Sequence, residues 1–149
     1  MAKYFNYFPK TFYTSNNTNS SVTSAIDSIV EPKVILEAQM VSESIYVDPK
    51  IEDYVLNLIS ATREPKQSGL DELENIIDFG ASPRATINLI KAAKARAFTE
   101  KRGYVTPEDI RFIGKDVLRH RVILTYEAEA EEMSCDDVIE RLFESIEVP

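Results

Sequence analysis

A chain of 149 residues can build one core that buries ~68–70% of the surface it exposes when unfolded, and its 44% hydrophobic and 28% charged residues exclude fibrous, wholly disordered and disulfide-stapled classes. A net charge of −8, from 25 acidic against 17 basic residues, excludes general attraction to nucleic acid, which needs clustered lysine and arginine. One cysteine, no apolar run near the ~20 residues that cross a bilayer, and no signal-peptide block predict a soluble, cytoplasmic protein with no membrane span.

The first thirteen positions hold six of the fourteen Phe and Tyr residues, Tyr4, Phe5, Tyr7, Phe8, Phe12 and Tyr13, interrupted by Pro9. Thr14 to Ser24 follow as a Ser/Thr/Asn tract whose side chains compete for their own backbone and favour coil. Charge changes at the same place, with a net of +1 over residues 1–30 and −9 over residues 31–149. The expected organisation is an extended N-terminal arm and linker, 1–30, and a folded body, 31–149. The readings of the arm that stand open are a segment that docks a partner, a strand or arm folded onto its own chain, or a disordered tail.

Helical punctuation repeats through the body. Pro32 suits the first position of a short helix, with Val34, Ile35 and Ala38 at helical spacing, ending near Val41 to Ser44. Asp48 and Pro49 cap a helix over 49–62, whose Ile51, Tyr54, Val55, Leu58 and Ile59 form one stripe. Pro65 ends it, a short turn or helix runs from Ser68 through Asp78, and Gly80 reads as a helix stop. Ser82 and Pro83 open the longest helix, 83–101, where Ala85, Ile87, Leu89, Ile90, Ala92, Ala93, Ala97 and Phe98 cover most of the circumference; Gly103 closes it. Thr106, Pro107, Glu108 and Asp109 cap a helix with Ile110, Ile113 and Val117 facing inward. Val122 to Tyr126 is a short strand or extended connector, and Ser134 with Asp137 caps a last helix carrying Val138, Ile139, Leu142, Phe143 and Ile146. The predicted fold is an all-α small helical bundle.

Within it, Gly80-Ala81-Ser82-Pro83-Arg84-Ala85 places a cation in the first turn of a helix, where the macrodipole disfavours positive charge by ~0.3–1 kcal/mol. An anion reverses that sign, because free N-terminal amides and a guanidinium in one turn suit a phosphate oxygen. Asn88 and Lys91 continue a polar stripe one and two turns on. The alternative is that Arg84 pairs with an acidic neighbour such as Asp78.

The ordered segments Ala61-Thr62-Arg63, Phe79-Gly80-Ala81-Ser82-Pro83-Arg84-Ala85, Ala92-Ala93-Lys94-Ala95-Arg96-Ala97, Gly103-Tyr104-Val105-Thr106-Pro107-Glu108-Asp109 and Val117-Leu118-Arg119-His120-Arg121 resemble the C-terminal lid of MoxR-type AAA+ ATPases, over about residues 31–149. The resemblance implies that Arg84 is the sensor 2 arginine, a catalytic residue approaching the terminal phosphate of ATP, with Ser82, Ala85 and Asn88 beside it as nucleotide-binding residues. It further implies that ATP and Mg²⁺ are held by an α/β core whose phosphate loop, Walker B acid, sensor 1 and arginine finger are not in this sequence. Complete subunits would form a hexamer with a chaperone-like role. The four glycines, at 69, 80, 103 and 114, begin no phosphate loop, so the chain is not competent alone. A second function class is a non-enzymatic interaction module docked through the aromatic arm; Tyr4 to Tyr13 resembles the start of a contractile-phage baseplate wedge protein, over a stretch too short to carry function.

Other chemistry is sparse. The single His120 excludes a multi-histidine metal site and reads as a surface residue rather than a proton shuttle. Arg119 and Arg121 either reach a neighbouring subunit or pair with the body's own acidic surface. The run Glu127, Glu129, Glu131 and Glu132 reads as solvated, with no metal assigned. Cys135 falls in the first turn of a helix, which favours its thiolate, yet no second cysteine can resolve an oxidised form. Because the arm and body differ in composition, deleting residues 1–24 is expected to move the body's thermal midpoint by no more than a few degrees, measured by circular dichroism; precipitation of the truncated chain would place the arm in the core.

Overall fold

The computed structural model describes residues 30–149, and the folded body begins at Glu31. The aromatic arm and its phage-like run lie outside the described residues. The body is a small all-α bundle of six helices with one two-stranded sheet.

Helix α1 (Pro32–Glu43) starts on its proline as the sequence predicts, but none of its residues is buried. It lies against α3, where Lys94 Nζ donates to the Glu43 carbonyl at 2.9 Å, satisfying a helix C-terminus with a cation. Helix α2 (Pro49–Arg63) is capped by Asp48, whose carboxylate accepts the Lys50 N–H at 2.9 Å. Its predicted stripe is the buried face, extended by Ala61 and Thr62.

Where a short turn or helix from Ser68 through Asp78 is expected, two 3₁₀ turns (Lys66–Ser68 and Asp71–Leu73) sink Leu70 and Leu73 into the core, and the first ends on Gly69 at φ +75°. The chain then extends as β1 (Ile77–Phe79), antiparallel to β2 (Ile123–Leu124), with Ile77 opposite Leu124 and Phe79 opposite Ile123. Thr125 pins the pair, its N–H bonding the Ile76 carbonyl at 2.9 Å and its hydroxyl the Asn75 carbonyl at 2.8 Å.

Helix α3 (Pro83–Thr99) packs against α1, α2 and α4. Its buried row is Ala85, Leu89, Ala93 and Ala97, each four residues from the last, and the small side chains let neighbouring helices approach closely. Ile87, predicted to be covered, is exposed. Gly103 does not close the helix: Lys101 takes the left-handed conformation at φ +58°, and the N–H groups of Lys101 and Arg102 return to the carbonyls of Phe98 and Ala97 at 2.9 and 2.8 Å.

Helix α4 (Pro107–Leu118) follows, then the short α5 (Tyr126–Ala130) and α6 (Cys135–Ser145). The capping boxes read at Thr106/Asp109 and Ser134/Asp137 are both formed. Helix α6 lays Phe143 on Gly114 of α4, so close that a Cβ at position 114 would collide with the Cζ edge of the ring. Arg119 at the end of α4 clasps Asp136 in the first turn of α6 through Nε at 2.7 Å and Nη2 at 2.8 Å.

Asp109 does more than cap. Its carboxylate is 1% exposed and accepts hydrogen bonds from Arg96 Nε at 3.1 Å, Arg102 Nη1 and Nη2 at 2.9 and 2.6 Å, and the Thr106 N–H at 2.9 Å. Arg96 in turn stacks on Phe112, 3.3 Å from the ring centroid. Burial pushes the Asp109 carboxyl up, but the bonds from Arg102 and Thr106 outweigh it and hold the carboxyl below its ordinary value.

The folded value therefore lies under the unfolded one of about 3.9, so this stabilisation is complete above about pH 4 and vanishes as pH falls through the folded value. Asp109→Asn is expected to cost about 2–3 kcal/mol at pH 7 by losing charge-assisted hydrogen bonds. In denaturant melts, wild type should lose stability below about pH 4 more steeply than the variant.

Candidate functional site

The site forms where the end of α2 meets the start of α3. Thr62 is fully buried, its hydroxyl donating to the Ile59 carbonyl at 2.7 Å and accepting the Ala81 N–H at 2.9 Å. Beside it Gly80 lies flat on the backbone of α2. A Cβ there would collide with the Thr62 carbonyl and stand 2.7 Å from the Arg63 Cα. Gly80 is thus a close-approach glycine, not the helix stop read from the sequence.

From this junction Ser82 enters α3 with extended backbone at φ −76° and ψ 161°, and its exposed side chain makes no capping bond. Its carbonyl accepts the Ala85 N–H at 2.8 Å. The Ala85 side chain is fully buried, so it anchors the first turn. Between these two, Arg84 is exposed and, among the described residues, makes no hydrogen bond or ion pair. The pairing with Asp78 does not form; Asp78 lies exposed on β1. Asn88, half-buried, and Lys91, exposed, continue along α3 at four and seven residues from Arg84.

A guanidinium in the first turn of a helix carries an unfavourable dipole contact, and among the described residues no ion pair offsets it. The same turn can meet an anion with charge and geometry together.

The remaining candidates are placed differently. Arg119 serves the body's own acidic surface through Asp136 and, at 3.4 Å, Asp116. Arg121 donates to the Val117 carbonyl at 3.2 Å and lies against the exposed ring of His120. The thiolate-favouring expectation for Cys135 is overturned: burial pushes its thiol up, with the Asp136 charge adding to that and Arg119 opposing, and Sγ faces the Val122 carbonyl at 3.7 Å. Among the described residues no three His, Cys, Asp or Glu side chains gather as a metal site. Sequence reading missed the Arg96–Asp109–Arg102 cluster, whose signal was an acid doubling as cap and counter-ion, and gave Thr62 no role because its partner lies 19 residues away.

Comparison with known proteins adds the family. Residues 72–142 match the model of the AAA lid domain. Chaperone MoxR1 of Mycobacterium tuberculosis is 39% identical over 115 residues, covering 77% of this chain and 30% of that protein. Protein MoxR of Methylorubrum extorquens is 34% identical over 118 residues, covering 75% and 34%. A crystal structure of a protein from Cytophaga hutchinsonii, assigned as an ATPase on similarity, superposes with a TM-score of 0.76 at 40% identity, over 78% of this chain and 36% of that one. The chain thus spans about a third of the length of these relatives.

Since the obstacle to a side chain at position 80 is rigid backbone, Gly80→Ala is expected to destabilise the body by about 1–3 kcal/mol. Gly103, with open space around it, is the control, and its alanine variant should stay within about 0.5 kcal/mol of wild type in chemical denaturation.

Proposed function

The chain carries the lid region of a MoxR-family AAA+ ATPase, and from that premise we propose that it supplies the sensor 2 arginine, Arg84, to ATP bound by the family's nucleotide-binding core. The observation that carries this reading is the state of Arg84 itself: exposed, unpaired among the described residues, and set on a helix start docked by Thr62 and Gly80. In this reading the guanidinium meets the terminal phosphate, where it stabilises charge that develops during phosphoryl transfer. Ser82 and Asn88 flank the nucleotide, while Ala85, through its buried side chain, holds the turn. Mg²⁺ would be held outside the described residues.

The rest of the body supports a lid that works against a partner domain. Helix α1 buries none of its own residues and exposes Val34, Ile35, Leu36, Met40 and Val41, an apolar surface of the kind that packs on another protein region. We assign it to the nucleotide-binding core. The complete protein would be a hexameric, cytoplasmic, chaperone-like ATPase, a role suggested by the name of the Mycobacterium tuberculosis relative; no described helix is long and apolar enough to cross a membrane. The residue 1–30 arm is proposed as a separate unit.

The test joins this chain to a MoxR-type nucleotide-binding core. Arg84→Ala should lower ATP turnover by well over tenfold, since removing an aimed charge from a closed site costs ~2.7–4 kcal/mol. ADP affinity should change much less, because ADP lacks the group being read. The thermal midpoint should be equal or slightly raised, because a cation leaves a helix N-terminus. A variant with normal turnover and a markedly lower midpoint would make Arg84 a structural residue.

A further inference from the structure

We propose that Thr62 is a positioning residue for Arg84: a buried hydroxyl at the end of α2 fixes where the guanidinium on α3 stands. The proposal rests on the reading of Arg84 given above and adds a residue to it. A threonine hydroxyl has one proton, and here it goes to the Ile59 carbonyl at 2.7 Å, a group that can only accept. The lone pairs are thereby left for the Ala81 N–H, which is bound at 2.9 Å inside the protein. The branched Cβ restricts χ1, so the acceptor keeps one direction.

Ala81 stands three residues before Arg84, and Ala85 one residue after it; both side chains are fully buried. Pro83 lies between them with its φ fixed by its ring. Arg84 is therefore an exposed side chain on a short segment clamped on both sides, with the upstream clamp made of one hydrogen bond and the Gly80 contact. Replacing Thr62 by valine keeps the shape of the side chain and removes the acceptor. The Ala81 N–H is then buried and unpaired, and the segment can relieve that only by shifting the start of α3. No charge changes in the variant; only the aim of Arg84 does.

The test uses Thr62→Val and Thr62→Ser. In the full 149-residue chain, hydrogen exchange at the Ala81 amide should be at least about tenfold faster in Thr62→Val, and close to wild type in Thr62→Ser, which keeps the acceptor. In the ATPase made by joining the chain to a MoxR-type core, Thr62→Val should lower kcat about tenfold with the KM for ATP within about twofold, because misplacing a transition-state contact leaves ground-state binding in place. Thr62→Ser should recover most of kcat. If Thr62→Val turns over like wild type while Arg84→Ala does not, the positioning role is overturned and the reading of Arg84 survives. If Arg84→Ala itself turns over normally, the phosphate reading falls, and Thr62 with it. Should the valine variant fail to fold, the wild-type chain decides: an Ala81 amide exchanging as fast as exposed loop amides would overturn the proposal without any substitution.

Discussion

The buried carboxylate of Asp109 ties the last turn of α3, the turn after it and the start of α4 into one piece, and α6 packs in turn on α4. Taking a carboxylate out of water is unfavourable, and it is stable here because two guanidinium groups and a backbone amide surround it. Arg96 brings its aliphatic length and its stacking on Phe112, while Arg102 adds a bond to the Tyr104 carbonyl at 3.1 Å. Phe112 itself remains exposed, so the cation holds the ring in place from its inner face. With α4 fixed, Gly114 offers α6 the flat surface on which Phe143 sits.

Helix α3 is thus restrained at two separated points by different chemistry. Toward its C-terminal half the restraint is electrostatic, through Arg96 and Asp109. At its N-terminus it is neutral and directional, through the Thr62 hydroxyl and the contact of Gly80 with the α2 backbone. The row of alanines between these points lets the helix lie close to its neighbours along its length. The two restraints fix, near both of its ends, the helix that carries Arg84.

All the helices but the five-residue α5 were legible because their signals are local. A five-residue apolar stripe in α2, prolines at first positions and two capping boxes all act within one or two turns, and each formed where the sequence placed it. What escaped depends on residues far apart in the chain. The strands are three and two residues long and pair across more than 40 positions, so no periodicity announces Ile77–Phe79. Gly80 resembles a stop when read beside its neighbours, and only the approach of Thr62 reveals its use. Lys101 took the left-handed turn expected of Gly103 because the returning amides of Lys101 and Arg102 fixed the end of α3 two residues earlier. For Arg84 the sequence allowed either an ion pair or an open guanidinium, and the path of β1 decided against the pair.

Helix α1 stands apart from this interlocked body. With twelve residues and none buried, it has little beyond its own backbone bonds, the Lys94 clasp and partial contact with α3 to keep it wound. Helices of that length are marginal in water when tertiary packing does not support them. Its opening free energy should therefore sit at the low end of the molecule's range, well under that of α2 or α4. Any surface that covers Ile35, Leu36 and Met40 would raise it. The order of α1 thus becomes a local gauge of whether the body is engaged: loosely wound and open to proteases when free, tightly wound and protected when covered.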